Sequence, residues 1–240
     1  MSRPSPSSTA RWQPRHRDIA AVLCAATLDA LHPAAATLAK HPFSLTCRVG
    51  SGARTCHQLR PLDRWGLRQT HLITYGAGMV ASKLGGERWQ SHREIEQRGY
   101  FGGTLTPLGL LAHTCCHEYA HALHTARGLR RRGAVHDAAY YALLDRLHHD
   151  GHAEQVRTAL QQRLSSAGIV LPTTLPPPVA PAATPELAVG DPVSFDYRGR
   201  TFHGTVRRIN RRSVTVIPLQ GGEQGWWRVA PERLYRRVAR

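Results

Sequence analysis

The segment between Thr106 and Gly128 constrains the fold more than any other, because it has the full sequence signature of one long buried helix. Thr106 is a good N-cap residue, and Pro107 suits the first helical position after it. Apolar residues then recur at helical spacing, namely Leu108, Leu111, Cys115, Tyr119, Ala122 and Ala126. Gly128 is a suitable stop. Since this stretch is poor in charge, we expect the rest of a domain to pack around it.

The run His117-Glu118-Tyr119-Ala120-His121 lies inside this helix. It contains two candidate metal ligands and, beside them, a candidate general base. Its two histidines are one helical turn apart, so both imidazoles lie on the same side and suit a tetrahedral Zn²⁺. Glu118 can take a proton from a zinc-bound water and pass it to a leaving nitrogen. The run therefore predicts a zinc-dependent hydrolase with catalytic Glu118 and metal ligands His117 and His121. A histidine-rich helix face with structural contacts is the alternative.

A catalytic zinc also needs a third protein ligand and an open fourth position. The metzincin pattern is excluded, because His124 and Arg127 stand where that pattern has glycine and histidine. His113 and His124 share the face of the two ligands, but three ligands from one straight helix rarely converge on one ion. We expect both to pack around the site. His136 follows a basic loop and begins the next helix, where the chain can double back, so it is the predicted third ligand.

The heptapeptide that begins at Cys116, C-H-E-Y-A-H-A, followed by His136, resembles the SprT-like (Spartan-related) family of zinc metallopeptidases. In that family a third histidine opens a short helix after a variable loop, usually in an H-G-x-x-F pattern. Here Tyr140 keeps the aromatic position in kind, and Asp137, itself a good N-cap, replaces the glycine. The resemblance covers roughly residues 67–150 and is specific at the ligands and loose elsewhere. It implies a zincin-like, α+β metallopeptidase domain that hydrolyses peptide bonds with Zn²⁺ as cofactor.

The same resemblance implies a strand before the active helix that aligns an extended substrate backbone. Residues 67–75 are the candidate, and a peptide added to a strand edge is recognised more by main chain than by side chains. Polarising the scissile carbonyl could fall to the zinc alone or to His71, Tyr75 or Tyr100. The sequence leaves this choice open.

Composition divides the chain into four segments. Residues 1–15 are rich in serine, proline and arginine, which predicts a disordered N-terminus. Residues 16–167 form the predicted peptidase domain, and the proline-rich residues 168–186 predict an extended linker. Residues 187–240 form a second, smaller domain.

Within the predicted peptidase domain, local patterns indicate further elements. The spacing of apolar residues predicts helices over residues 18–31, 137–148 and 153–166. The alternation over residues 43–57, with glycines at its middle, predicts a β-hairpin.

Beyond the linker, hydrophobic residues alternate with period two, and turn sequences recur at short intervals. Short strands at this spacing predict a small all-β, SH3-like barrel. Residues 187–240 hold eleven arginines against four acidic residues, so nucleic acid is the predicted partner. We expect phosphate contacts and base stacking from Arg207, Arg208, Arg211, Arg212, Trp226 and Trp227. A solvated basic face with one tryptophan in the core is the alternative.

The formal net charge of the whole chain is +16, and nearly all basic residues are arginine. This balance fits either a polyanionic partner such as DNA or an arginine-rich coding bias that keeps the protein soluble. The five cysteines form no C-x-x-C pair, and their odd number argues against a secreted disulfide framework. No apolar run approaches the roughly 20 residues of a membrane span. We therefore expect a cytoplasmic protein without a membrane partner.

Together these patterns predict a zinc metallopeptidase tethered to a basic barrel. It would cut protein or peptide substrates, with DNA-associated proteins as one substrate class. Three alternatives stay open: a zinc hydrolase of a non-peptide amide, a nucleic-acid-binding protein whose zinc is structural, and a general protease whose barrel binds protein.

Overall fold

The computed structural model describes residues 14–60, 70–131, 134–177, 186–197, 200–210, 213–219, 225–231 and 234–236. The chain divides into two compact units, one within Ala10–Val179 and one within Ala180–Arg240. The larger unit holds helices and a three-stranded sheet, and the smaller unit holds a five-stranded antiparallel sheet. The predicted α+β class is confirmed at this level.

The larger unit is built around the helix that the sequence predicted from its cap. Its helices are α1 (Pro14–Ala26), α2 (His32–Ala35), α3 (Ala77–Leu84), α4 (Gln90–Arg98), α5 (Pro107–Ala126), α6 (Ala138–His149) and α7 (His152–Ser166). The Thr106 hydroxyl accepts a hydrogen bond from the backbone N–H of Gly109 at 3.0 Å, so the predicted start of α5 is confirmed. Helices α1, α4, α6 and α7 all pack against α5. Its apolar side chains are therefore buried on several sides, and it forms the centre of the core.

The first helical stretch is longer than the sequence predicted. Helix α1 begins at Pro14, so residues 14 and 15 of the segment predicted to be disordered are helical, and residues 1–13 lie outside the described part. A π-helical turn, Thr27–Leu31, joins α1 to α2, and a 3-10 turn, Ala36–Leu38, follows. Among the described residues, Arg15–Leu38 is the one helical stretch with the length and mean hydropathy of a membrane span. A buried core helix passes the same test, and this stretch contributes several side chains to the core.

The sheet of the larger unit has a topology that differs from the predicted hairpin. Its strands are β1 (Ser44–Gly50), β2 (Cys56–Arg60) and β3 (Thr70–Gly76), in the order β1-β3-β2. Strand β1 pairs with β3 in parallel and β2 pairs with β3 antiparallel, so the hairpin predicted over residues 43–57 is wrong. The strand predicted over residues 67–75 corresponds to β3, apart from residues 67–69, which lie outside the described chain. Because β3 has a neighbour on both sides, it has no free edge for a substrate peptide.

The connection from β1 to β2 crosses the end of β3, which explains why the two strands do not form a hairpin. The backbone N–H of Gly78 donates to the carbonyl oxygen of Gly52 at 3.1 Å, which fixes the crossing segment. A Cβ atom at Gly76 would overlap with the carbonyl oxygens of Gly52 and Arg54. The crossing therefore requires a residue without a side chain at the end of β3.

Replacing Gly76 with alanine is expected to lower the free energy of unfolding by about 3 kcal/mol, because the added methyl group overlaps two backbone oxygens that cannot move independently. Denaturant-induced unfolding measures this loss. The matched control is Gly52→Ala, since the nearest atom to a Cβ there is the Arg54 nitrogen at 3.9 Å. Equal losses in the two variants would contradict this account of the crossing.

The smaller unit is a five-stranded antiparallel sheet with its own hydrophobic core. Its strands are β4 (Pro192–Tyr197), β5 (Arg200–Asn210), β6 (Ser213–Pro218), β7 (Trp227–Val229) and β8 (Tyr235–Arg236), in the order β7-β6-β5-β4-β8. One side of the strands supplies the core residues Val193, Phe195, Val206, Val214, Val216 and Val229. The pairing of β5 with β6 shifts register between Val206 and Arg208, which marks a β-bulge at Arg207.

Candidate metal centre

Three histidine side chains converge at one point of the larger unit. His117 and His121 lie one turn apart on α5, and His136 lies just before α6. Their ligand nitrogens are within 4.8 Å of one another, and Nε2 of His121 is 3.1 Å from Nε2 of His136. The structure therefore brings together the three residues that the sequence proposed as ligands, in a group that could hold a metal ion.

The start of α6 brings His136 to this point. Asp137 is the N-cap of α6, and its carboxylate accepts a hydrogen bond from the backbone N–H of Tyr140 at 2.9 Å. The Tyr140 ring is fully buried and stacks on His121 at 4.4 Å between centroids. Its hydroxyl donates to the carbonyl oxygen of His117 at 3.2 Å. Asp137 stands where the SprT-like pattern usually has glycine. As the N-cap of α6, it begins the helix that holds Tyr140 against the histidine rings.

The protonation of these histidines fits a metal-binding role. Burial and, to a smaller extent, the charge that His117 and His136 can carry lower the pKa of His121 to about 2. Burial also lowers the pKa of His136. Both rings are therefore neutral at neutral pH, which is the form of imidazole that binds a metal ion.

Glu118 lies beside these histidines and is also buried, with 6% of its surface exposed. Burial raises the pKa of Glu118, whereas charge on His117 and Lys83 lowers it. The backbone of His57 on β2 lies close enough to its carboxyl group to lower the pKa of that group slightly. A buried carboxyl group with a raised pKa is suited to taking up and releasing a proton near neutral pH.

Lys83 is a buried cation that the sequence did not single out. It lies on α3, and its Nζ donates to the Thr114 hydroxyl at 2.7 Å. Burial lowers its pKa to about 8, although the charges of Glu118 and Glu94 oppose this change. Lys83 therefore supplies positive charge behind the Glu118 carboxyl group.

Helix α4 contributes two polar residues to the surroundings of the site, and the sequence reasoning missed both. Glu94 is buried, and its Oε2 lies 2.8 Å from Nδ1 of His117 and 2.8 Å from Nε2 of His113. Gln90 lies one turn earlier, and its Nε2 is 3.2 Å from Nδ1 of His136. Gln90 and Glu94 are one helical turn apart, and this spacing alone could have indicated a shared polar role. Polar residues on an exposed helix face have the same spacing, so it does not identify a buried pair.

Hydrogen bonds keep Glu94 ionised. Burial alone would raise its pKa, but hydrogen bonds from His113 and His117, and the charge those rings can carry, hold the pKa well below its usual range. Glu94, His113 and His117 form a second group whose ligand atoms lie within 4.8 Å of one another. Its atoms already satisfy one another through two hydrogen bonds of 2.8 Å, whereas in the first group two Nε2 atoms, those of His121 and His136, face each other at 3.1 Å.

The remaining histidines of α5 lie beside the first group and not within it. His113 is fully buried, and its Nδ1 is 3.0 Å from Nε2 of His148. His124 is also fully buried, and its Nε2 lies 3.3 Å from Asp137 Oδ1 without hydrogen-bond geometry. Both residues are placed as the sequence predicted, in packing positions around the site.

The three residues considered for carbonyl polarisation are engaged elsewhere. Tyr75 is fully buried and its hydroxyl lies 2.7 Å from that of Thr27. The Tyr100 hydroxyl donates to Asp145 at 2.5 Å. His71 lies 2.9 Å from His57 through their ring nitrogens, and burial lowers the pKa values of these two residues to about 4 and about 3.

In the smaller unit, the predicted nucleic-acid residues separate into different environments. Arg207 and Arg208 are both exposed, Arg207 at the register shift in β5 and Arg208 directly after it. Trp226 is 55% exposed, whereas Trp227 is partly buried and packs against Phe202 at 5.1 Å between ring centroids. Arg211 and Arg212 lie outside the described residues.

The sequence reasoning missed Arg228, which lies on the same face as Arg208. Thr215 pairs with Arg208 on one side and with Arg228 on the other, so the three form a row across β5, β6 and β7. This row faces away from the core, because the neighbours of Thr215 along β6 are both buried. The Arg228 guanidinium lies over the Trp226 ring at 5.2 Å.

Comparisons of the chain with protein-family models, with curated proteins and with solved structures gave no match.

Proposed function

We propose that the chain is a zinc-dependent metallopeptidase with a zincin-like catalytic domain of the SprT-like kind. The observation that carries the proposal is the convergence of His117, His121 and His136 within 4.8 Å, beside the buried carboxyl group of Glu118. Three histidine nitrogens are a usual protein donor set of a catalytic zinc, whereas structural zinc sites have four protein ligands.

Zinc suits this donor set because neutral imidazole is one of its preferred ligands. When bound, such an ion lowers the pKa of a coordinated water and polarises a carbonyl oxygen. His117, His121 and His136 would hold the ion, and Tyr140 packs against the rings and keeps them in place.

Glu118 acts as the general base and then as the general acid. It accepts a proton from the attacking water and delivers this proton to the leaving nitrogen of the scissile bond. Helix α5 packs against β2, and this places the carboxyl group near the backbone of His57. The charge of Lys83 favours the ionised form of Glu118, which is the form that the first step requires.

Strand β2 is the proposed place for the substrate backbone. Unlike β3, it pairs with a neighbour on one side only among the described strands of its sheet. An extended peptide added to this edge would run past His57, whose backbone contacts Glu118. Main-chain pairing of this kind supports broad sequence selectivity, with protein or peptide as the substrate class.

The test is hydrolysis of an unfolded protein by the purified full-length chain. We expect a metal chelator to abolish cleavage and stoichiometric Zn²⁺ to restore it, because the proposed mechanism needs the ion. Cleavage that persists in chelator would overturn the proposal. Hydrolysis of small amides without any cleavage of protein would favour a zinc hydrolase of a non-peptide amide.

We further propose that the smaller unit is an SH3-like barrel that binds nucleic acid and holds protein substrates near it. The supporting observation is the outward row of Arg208, Thr215 and Arg228 beside the exposed Trp226. Arginines contact phosphates, and an exposed tryptophan offers a surface on which a base can stack. The alternatives are a barrel that binds protein and a basic face that serves only solubility.

Replacing both Arg208 and Arg228 with glutamine is expected to reduce the dependence of duplex DNA affinity on salt by about two units of slope. Titrations of the full chain at several salt concentrations measure this slope. The matched control replaces Arg157 and Arg163, which pair with Glu154 and Asp29 on the larger unit and carry the same total charge. An equal reduction in the control would show that net charge, and not this row, determines binding.

A further inference from the structure

Glu94 on α4 makes a complete set of hydrogen bonds although it lies in the interior. Its Oε2 accepts from His113 and His117, each at 2.8 Å. Its Oε1 accepts from Gln90 Nε2 at 3.0 Å and from the Tyr141 hydroxyl at 3.3 Å. Both carboxylate oxygens are thus held in place by partners from α4, α5 and α6.

His113, the second histidine bonded to Glu94, is itself held in place. His113 is fully buried, and its Nδ1 lies 3.0 Å from Nε2 of His148 on α6. The His148 ring stacks on Tyr100 at 3.8 Å between centroids, with the two planes 5° apart. Glu94 therefore cannot shift toward His113 without disturbing this packed chain of rings.

This fixed carboxylate determines the state of His117. An ionised carboxylate only accepts hydrogen bonds, so Nδ1 of His117 must carry the proton that it donates. The lone pair of the neutral ring is then on Nε2, which leaves this nitrogen for the group that His117 forms with His121 and His136. A carboxylate behind a metal-binding histidine fixes the tautomer and orientation of the ring and increases its basicity.

We propose that Glu94 is a positioning residue for the metal centre, which holds His117 in the tautomer and orientation that bind zinc. This inference rests on the proposed metal site. Loss of such an outer partner weakens metal binding by about 10- to 100-fold in comparable sites. Glu94 would act through His117 and would not itself touch the ion or the substrate.

A rival arrangement makes Glu94 a ligand together with His113 and His117. The two hydrogen bonds of 2.8 Å within that group argue against it, because an ion there would have to replace them both. The two arrangements give opposite results when His113 or His136 is removed.

The test measures Zn²⁺ affinity of the full chain by competition with a chromophoric chelator. We expect Glu94→Gln to bind Zn²⁺ about 10- to 100-fold more weakly than the wild type. The neutral amide accepts weaker hydrogen bonds from the two histidines, and it would turn its NH₂ group toward Gln90 Nε2, which is itself a donor. Glu94→Asp, which keeps the charge but is one methylene shorter, is expected to be weakened as well and decides the case if Glu94→Gln fails to fold. The matched control, Glu96→Gln, removes an exposed carboxylate on the same helix that pairs with Arg88 and should leave affinity unchanged.

Unchanged affinity in both Glu94 variants would overturn the inference and leave the proposed function intact. Loss of Zn²⁺ in His113→Ala but not in His136→Ala would also overturn it, because Glu94 would then belong to the rival ligand group. A wild-type chain that binds no Zn²⁺ would instead refute the proposed function, so the two failures are distinguishable.

Discussion

Replacing Glu118 with glutamine is expected to lower the rate of peptide hydrolysis by about a thousandfold while the protein keeps its zinc. The amide has nearly the size of the carboxyl group but cannot accept the proton of the attacking water, and general acid–base catalysis contributes about 10²- to 10⁴-fold. The three proposed zinc ligands are histidines, so this substitution removes none of them. The measurement is the cleavage rate of an unfolded protein together with the zinc content of the same sample.

The control for this variant is Glu96→Gln, which makes the same chemical change on the exposed face of α4 and should leave the rate unaltered. If Glu118→Gln cleaves protein as fast as the wild type, Glu118 is not the general base of the reaction. If the wild type also fails to cleave protein, and Glu118→Gln leaves zinc content and DNA binding unchanged, a nucleic-acid-binding protein whose zinc is structural would be favoured.

Replacing His136 with alanine is expected to weaken Zn²⁺ binding by at least about a hundredfold. Four-ligand structural sites gain about 10–16 kcal/mol from zinc, so one ligand of a three-histidine site carries several kcal/mol. His136 is half-buried and packs against Tyr140, so the loss of its ring should cost less in unfolding free energy than in metal affinity. Competition with a chelator, beside denaturant-induced unfolding of the metal-free protein, separates the two effects.

The convergence of the three histidines could be predicted from the sequence because it depends on local geometry. The spacing of His117 and His121 follows from the helical repeat, and the start of the helix follows from Thr106 and Pro107. The position of His136 was predictable because a short loop and the start of the next helix bring the chain back toward His117 and His121. Asp137, which departs from the resembling pattern, is the cap of that helix.

The surroundings of these histidines could not be predicted, because they depend on contacts between distant parts of the chain. Glu94 reaches His117 across 23 positions, and nothing in its own helix distinguishes a buried carboxylate from an exposed one. His57 approaches Glu118 only because β2 lies on the far side of β3 from β1. Alternating residues over 43–57 fit a hairpin equally well, and the need for glycine at position 76 becomes clear only in the folded sheet.

In the smaller unit, the alternation of hydrophobic residues predicted strands, but it did not predict on which side of the sheet each aromatic side chain lies. Trp226 and Trp227 are adjacent, so one of them had to point inward, and the structure places Trp227 against Phe202. The bulge at Arg207 then exposes two successive arginines, which simple alternation would not predict.

The most direct test of the metal centre is the zinc content of the purified full-length chain in three forms: wild type, His136→Ala and His124→Ala. His124 is the matched control, since it is a buried histidine of α5 whose ring nitrogens lack hydrogen-bond partners among the described residues. We expect about one zinc ion per chain in the wild type and in His124→Ala, and almost none in His136→Ala. Full zinc in His136→Ala with loss of zinc in His124→Ala would show that His136 is not a ligand and would contradict the proposed metal centre.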